Sequence, residues 1–407
     1  MKKKILIINP ISLFPKVMAI QDRLYQMIIR LSQDHDVDVA THVINDEQRK
    51  LSEEKLRPYC REFYPIKPIN YGRNKLRKKI IGLIFLVNYY IFGISRRVFY
   101  WAHKKSRKQI LNIINKNDYD IVQITGWYQC ILFKYLNDSI IKIIDTNDIL
   151  FEKKEVTYTH KYNNKIPFFK KRELEKYKMM EIEILNYADQ LISISQYDYN
   201  RLNELAPNTK SVLIPTGQSI EYFQNYIRNK EPEDAILFYG GMNSEQNITA
   251  FWRFWNYIYP NVKAKISNVK LFVVGSYPPK EIKDLHNDDN IIVTGFVEDV
   301  RTYFEKVKVL VIPLEIAGGF RSRVIDVMAM GIPVVGTHNA LDSIEMVNGV
   351  HGFIDDNDNV MCNRIIKILS DKELYDNLST NCIDFVSQKY SIDTTYGKLS
   401  KYYLQEI

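Results

Sequence analysis

Short apolar runs rich in β-branched residues, each followed by a stretch with helical spacing, recur along both halves of this chain and constrain its fold more than any other feature. The first run, 4–9, ends at Pro10 and reads as a strand buried on both faces. Residues 19–31 follow, with Ile20, Leu24, Met27, Ile28 and Leu31 spaced as one face of a helix. Further strands are predicted at 37–43, 120–124, 140–145, 190–195 and 212–215, with helices between them, notably over 170–187 and 196–206. A charged, proline-bearing patch, 228–234, then interrupts the pattern and reads as a linker. Strands resume at 235–239, 270–274, 290–294, 309–313 and 333–336, separated by helices over 247–266, 299–305 and 322–330. Residues 371–407 read as helical, with Ser391 placed to cap one last helix.

Strand–helix alternation in both halves of 407 residues predicts an α/β protein with two doubly wound domains. Such domains bind ligands at the carboxyl ends of their strands, and two in one chain usually face each other across a cleft. A hydrophobic fraction of 46% with 26% charged residues supplies real cores and excludes a disordered chain. Cys60, Cys130, Cys362 and Cys382 lie far apart with no Cys-x-x-Cys, which argues against a zinc knuckle, a redox motif and a disulfide scaffold. The seven histidines contain no His-x-x-x-His pair, and the Asp-x-Asp spacings at 34–36, 36–38 and 118–120 fall before strands, where turn residues are expected; no metal is expected. Neither half has Gly-x-Gly-x-x-Gly after its first strand, against a dinucleotide oxidoreductase. The run 5–8 is too short for the apolar core of a signal peptide, so a cytoplasmic location is expected.

The net charge of +8 is concentrated in one place. Between Arg73 and Lys108 stand eleven Lys and Arg and no acid, so the rest of the chain is slightly acidic. The apolar stretch 80–94 inside this segment is shorter than the roughly 20 residues needed to span a bilayer. Basic flanks and the aromatics at 99–101 suit a helix lying on an anionic membrane surface; a buried helix with solvated basic ends is the plain alternative. No nucleic-acid-binding motif accompanies the charge, and no nucleic acid is expected.

The chemistry concentrates between 310 and 336. A strand ends at Pro313, a loop closes on Gly318, Gly319 and Phe320, and a helix runs from near Arg321 to Gly331. Glycines before a helix N-terminus bare backbone N–H groups that suit an anion such as a phosphate. Arg321 and Arg323 add two cations at the end of the helix where cations are locally unfavourable, which makes sense with an anion between them. Asp326, further along the helix, suits the vicinal hydroxyls of a ribose. In the first half, Asp148 and Trp127 stand at predicted strand ends, one suited to acceptor hydroxyls and the other to stacking on a sugar ring; helix capping and core packing are their plain alternatives.

These residues resemble the retaining, nucleotide-sugar-dependent glycosyltransferases of family four, which have the GT-B fold. Asp326-Val-Met-Ala-Met-Gly-Ile-Pro-Val-Val335 is similar to the second part of that family's acidic motif, and Gly318-Gly-Phe-Arg-Ser-Arg323 to a Gly-Gly-x-Arg-x-Lys branch of it. Gly240, Gly241 and Met242 resemble the branch's Gly-x-Met loop, with Asn247 and Ala250 following as Asn-x-x-Ala. Gly295, Phe296 and Val297 resemble its nucleobase-contacting strand end. The first acid of the family pair falls on Gly318, and Gly241 and Asn247 stand near the family's Arg and Lys, so Arg321 and Arg323 are expected to supply that charge.

The resemblance implies two Rossmann-like domains: 1–217 for the acceptor, 218–390 for the nucleotide sugar, and a last helix, 391–407, returning to the first. It implies a metal-independent hexosyltransferase in cell-surface polysaccharide synthesis, with Arg321 and Arg323 catalytic. Gly240, Gly241, Met242, Gly295, Phe296, Val297, Gly318, Gly319, Phe320 and Asp326 would hold the donor, and Trp127 and Asp148 the acceptor, a saccharide or lipid-linked saccharide. No cofactor beyond the donor substrate is implied, and the location would be the cytoplasm, peripheral at the inner face of the membrane. A non-catalytic GT-B partner subunit and a nucleotide-sugar epimerase are the alternatives.

Overall fold

A computed structural model describes residues 2–406 apart from 17, 69–74, 93–98, 101–102, 227–230, 288 and 316–319. The chain divides into two compact units, Met1–Gly217 with Thr395–Ile407, and Gln218–Thr394.

The first unit is built on a parallel sheet of β1 (Lys4–Asn9), β2 (Asp36–His42), β3 (Phe63–Ile66), β4 (Ile121–Thr125), β5 (Ile141–Asp145), β6 (Gln190–Ser193) and β7 (Lys210–Leu213). Their order is β3-β2-β1-β4-β5-β6-β7, so the winding reverses between β1 and β4. Ile5 to Asn9 are all buried, as a strand covered on both faces requires. Helix Ala19–Asp34 buries Leu24, Met27, Ile28 and Leu31 against the sheet. It also buries Arg23, whose Nη1 donates to Asp145 Oδ2 at 2.5 Å, with the two side chains 2% and 0% exposed.

The last helix, Lys398–Gln405, packs in this unit. Ser400 Oγ donates to Asp34 Oδ2 at 2.6 Å, Tyr403 Oη donates to Gln123 Oε1 at 2.7 Å, and Tyr396 Oη accepts from the Gly217 amide at 2.9 Å.

The second unit repeats the plan with β8 (Ala235–Tyr239), β9 (Lys270–Val274), β10 (Ile291–Gly295), β11 (Val309–Ile312), β12 (Val334–Gly336) and β13 (Gly352–Ile354). Their order is β10-β9-β8-β11-β12-β13, and every described pairing of one of these strands with another is parallel. The expectation of two doubly wound α/β halves is borne out.

Details differ from the sequence reading. The chain passes between units at Gly217 and Gln218, the boundary that the resemblance implied, and not at the 228–234 patch read as a linker. Glu233 and Asp234 belong to the second unit, where the Glu233 amide donates to the Lys306 carbonyl and Lys308 Nζ reaches Asp234 at 2.6 Å. The expected helix 247–266 is three segments, Glu245–Arg253, a wider π turn Phe254–Ile258, and Tyr259–Lys265. Pro260 has no N–H to give to a preceding turn, and the widened turn lies immediately before the segment that contains it. Strands β3 and β13 were not expected. Pro65 interrupts the strand signal in β3, which lies at a sheet edge where a missing N–H is tolerated, and β13 has only three residues.

Candidate functional site

In the second unit the winding reverses between β8 and β11, and the residues with chemistry gather at the carboxyl ends of those two strands. β8 ends at Tyr239 and gives way to Gly240 and Gly241. Beyond β11 lies helix Ser322–Ala329, with Arg321 as its N-cap. Val324, Ile325, Val327 and Met328 of that helix are buried, which leaves Arg323 and Asp326, three residues apart, as neighbours on its more accessible side.

Arg323 reaches back to β8. Its Nη2 donates to Asn247 Oδ1 at 3.0 Å, and Asn247 Nδ2 donates to the Gly241 carbonyl at 2.7 Å. A Cβ on Gly240 would lie 2.0 Å from Arg323 Nη1, so glycine is what lets the guanidinium lie there. Gly240 also has φ +152, a conformation that L side chains rarely adopt. Gly275, at the end of β9, does the same for the backbone: a Cβ there would sit 2.0 Å from the Gly240 carbonyl oxygen.

Burial and the charge of Arg321 push the Arg323 guanidinium down to about 10, which leaves it a cation at neutral pH. Among the described residues no carboxylate forms a salt bridge with it. Two guanidinium groups close enough to repel, one of them half-buried without an ion pair, are costly unless an anion enters between them. Tyr239 completes the cluster. Burial raises its hydroxyl well above the ordinary phenol range, Asp326 raises it further and Arg323 opposes them, so it is a neutral donor among charged groups.

The other donor residues expected from sequence fall as follows. Gly295 ends β10 with φ +72 and open space round its α-carbon; Phe296 is 78% exposed and Val297 half-buried. β10 is two strands from β8, roughly 9–10 Å along the same sheet edge. Phe320 is half-buried against Tyr390, with ring centroids 5.5 Å apart. Met242 is buried, so its side chain serves the core. Gly318 and Gly319 lie outside the described residues. Tyr277, 76% exposed at φ +59 on the loop after β9, was not anticipated because no motif marks it.

The first unit corrects the acceptor expectation for Trp127. Trp127 is 2% exposed and packed between Tyr128 and Tyr177 at 4.9 and 5.0 Å between ring centroids, so it presents no face to a sugar ring. Asp148 stands beyond β5, half-buried, and is held by Lys153 at 2.8 Å. It does not cap the following helix, Leu150–Lys161. Glu181 does, accepting the Leu150 and Phe151 amides at 2.9 and 2.8 Å from inside the core. Sequence reasoning missed Glu181 because it lies mid-helix in a run of charges whose burial no local pattern reveals. Among the described residues no cluster of three His, Cys, Asp or Glu is placed to hold a metal ion.

Residues 233–371 match the family model described as Glycosyl transferases group 1. No curated protein matches the chain in sequence. Among solved structures, sucrose-phosphate synthase from Thermosynechococcus elongatus superposes with a TM-score of 0.68 at 16% identity, covering 99% of each chain. A glycosyltransferase from Rickettsia africae gives 0.66 at 15% identity over 100% of both chains. Anabaena Alr3699/HepE, solved with UDP and glucose, gives 0.62 at 13% identity, again over 100% of both. The segment 233–371 thus resembles the glycosyl transferases group 1, and the chain has the GT-B fold expected from the motifs.

Proposed function

We propose that the protein is a retaining, metal-independent glycosyltransferase. It moves a hexosyl unit from a nucleotide sugar to a saccharide or lipid-linked saccharide in cell-surface polysaccharide synthesis. The observation that carries the reading is the half-buried Arg323, its guanidinium laid against Gly240 and held by Asn247, with Arg321 beside it. Transfer expels a nucleoside diphosphate, and negative charge grows on its oxygens as the glycosidic bond breaks. Cations fixed in advance at that point stabilise the transition state without reorganising. Arg321 and Arg323 take that role, the Gly240–Gly241 turn lets the diphosphate approach, and Asp326 accepts from the ribose hydroxyls. The departing diphosphate oxygen takes the acceptor proton on the same face of the sugar, which retains the anomeric configuration. HepE solved with UDP-glucose, and TarM solved with UDP and alpha-GlcNAc-glycerol, support donor and acceptor of these classes.

The first unit would receive the acceptor at the inner face of the membrane. The cations round helix Lys75–Phe92 support this; of those described, Lys79, Lys104, Lys105 and Lys108 are exposed. Purified protein incubated with single nucleotide sugars should release the nucleoside diphosphate slowly by hydrolysis, with and without chelator. Failure to bind or turn over any of them would leave a non-catalytic subunit.

A further inference from the structure

Helix Lys75–Phe92 turns its apolar side outward. Ile80, Leu83, Ile84, Val87, Tyr90 and Ile91 are all exposed, Leu83 to 65%, whereas Ile81 is buried and Phe85, Asn88 and Tyr89 are half-buried. A helix lying on a water-soluble domain shows the reverse pattern. A contiguous apolar face of this kind marks an interaction surface.

The face does not end with this helix. The ring of Tyr90 meets that of Phe169 edge-on, with centroids 5.7 Å apart, and Phe168 stands 5.7 Å from Phe169. Phe168 and Phe169 open helix Phe168–Leu185 and are 73% and 53% exposed. Their position beside the first helix is fixed by polar bonds. Arg172 donates to the Ile91 carbonyl at 2.6 Å. Glu173, buried, accepts from the Tyr89 and Tyr158 hydroxyls and pairs with Lys154 and Lys170. An open hollow of about 460 Å³ lined by Lys79, Gly82, Leu83, Phe85, Leu86 and Tyr100 adds to the apolar surface of the helix.

Charge accompanies the second element as it does the first. From Lys161 to Arg172 there are five Lys and Arg and no acid, and Lys161, Lys165 and Lys171 are exposed. Glu173 is neutralised in the cluster just described, so the first exposed acid along this helix is Glu175. Cations round exposed aromatic and aliphatic side chains complement an anionic lipid headgroup layer above hydrocarbon. No described helix is long and apolar enough to cross a membrane.

We propose that Phe168 and Phe169 form a second anchor, which enters an anionic bilayer beside helix Lys75–Phe92. The two elements then lie in the headgroup boundary as one surface, with the lysines on its rim. This rests on the reading that the first unit works at a membrane. Attraction by charge alone is screened within about 8 Å at physiological salt, whereas inserted apolar side chains hold at high salt. Two contact elements on one rigid unit also fix its orientation.

The full chain should co-sediment with phosphatidylserine-containing vesicles, weakly with phosphatidylcholine alone, and should keep part of its binding in 1 M salt. The Phe168→Ser/Phe169→Ser variant should bind about tenfold or more weakly and lose the salt-resistant part, with an unchanged melting curve, since both rings are exposed. A Phe169→Trp variant should be quenched by lipids brominated along their acyl chains. If the wild type binds anionic vesicles while the double variant binds equally and the introduced indole is not quenched, the second anchor is wrong and the membrane reading stands. If the wild type ignores anionic vesicles, both fall. A dimer that shields the introduced indole without lipid would assign the face to a second copy of the chain and overturn the proposal.

Discussion

The guanidinium of Arg323 lies where a side chain on Gly240 would have to be, its Nη1 2.0 Å from the position of a Cβ on that residue. The two are more than eighty residues apart, yet one is glycine because the other is arginine. Gly240→Ala should therefore displace the guanidinium and mimic Arg323→Ala. Both should weaken a nucleoside diphosphate by about tenfold or more, in line with a charged hydrogen bond of ~1.5–3 kcal/mol. Isothermal titration of the two variants checks it. Wild-type affinity in Gly240→Ala would mean that the contact between the two residues is not part of the binding site.

Arg321 precedes the helix at the same end. Arg321→Ala should cost a nucleoside diphosphate ~1.5–3 kcal/mol and leave the affinity for the bare nucleoside unchanged, because only the diphosphate carries the charge that it meets. An equal loss for both ligands would show that Arg321 shapes the loop rather than holding the phosphates.

The sequence disclosed the architecture because parallel strands buried on both faces are continuous apolar runs, readable without knowing their partners. It missed β3 and β13, where Pro65 and a three-residue length leave no run to read. The cations Arg321 and Arg323 were legible from their place before a helix, a local signal. That Arg323 crosses to Gly240 and Asn247 was not, since nothing local ties residue 323 to 240. Trp127 illustrates the opposite failure. Its strand-end position pointed to a ligand, but Tyr128 and Tyr177 close over the indole, and Tyr177 is fifty residues away.

Asp326 stands three residues after Arg323 on the same side of the helix, near the Tyr239 hydroxyl. As the ribose ligand, its carboxylate would accept from both hydroxyls. Asp326→Asn should then weaken a ribonucleoside diphosphate more than its 2′-deoxy analogue, narrowing the gap between them. Titrating both nucleotides against wild type and variant tests this. Parallel losses would assign Asp326 to the helix and to Tyr239 instead.

Glu181 offers a test that needs no ligand. Burial raises its carboxyl to about 8, against the pull of the Leu150 and Phe151 amides and the neighbouring Trp127. In the unfolded chain an ordinary glutamate titrates near 4.3. The folded protein thus keeps a proton that the unfolded chain has lost between those two values, and stability through this group falls as pH rises across that window, levelling off above about 8. Glu181→Gln removes the titration and turns an amide NH2 toward one of the two backbone donors. That leaves a buried N–H without its acceptor, a loss of roughly 1–3 kcal/mol. The variant should melt below the wild type at pH 5, and the gap should close and then reverse toward pH 8.5, where the wild type carries a buried charge. Melting curves at half-unit steps of pH measure it. A gap that stays constant would mean that Glu181 titrates alike in the folded and unfolded chains, held as a carboxylate by the two amides it caps.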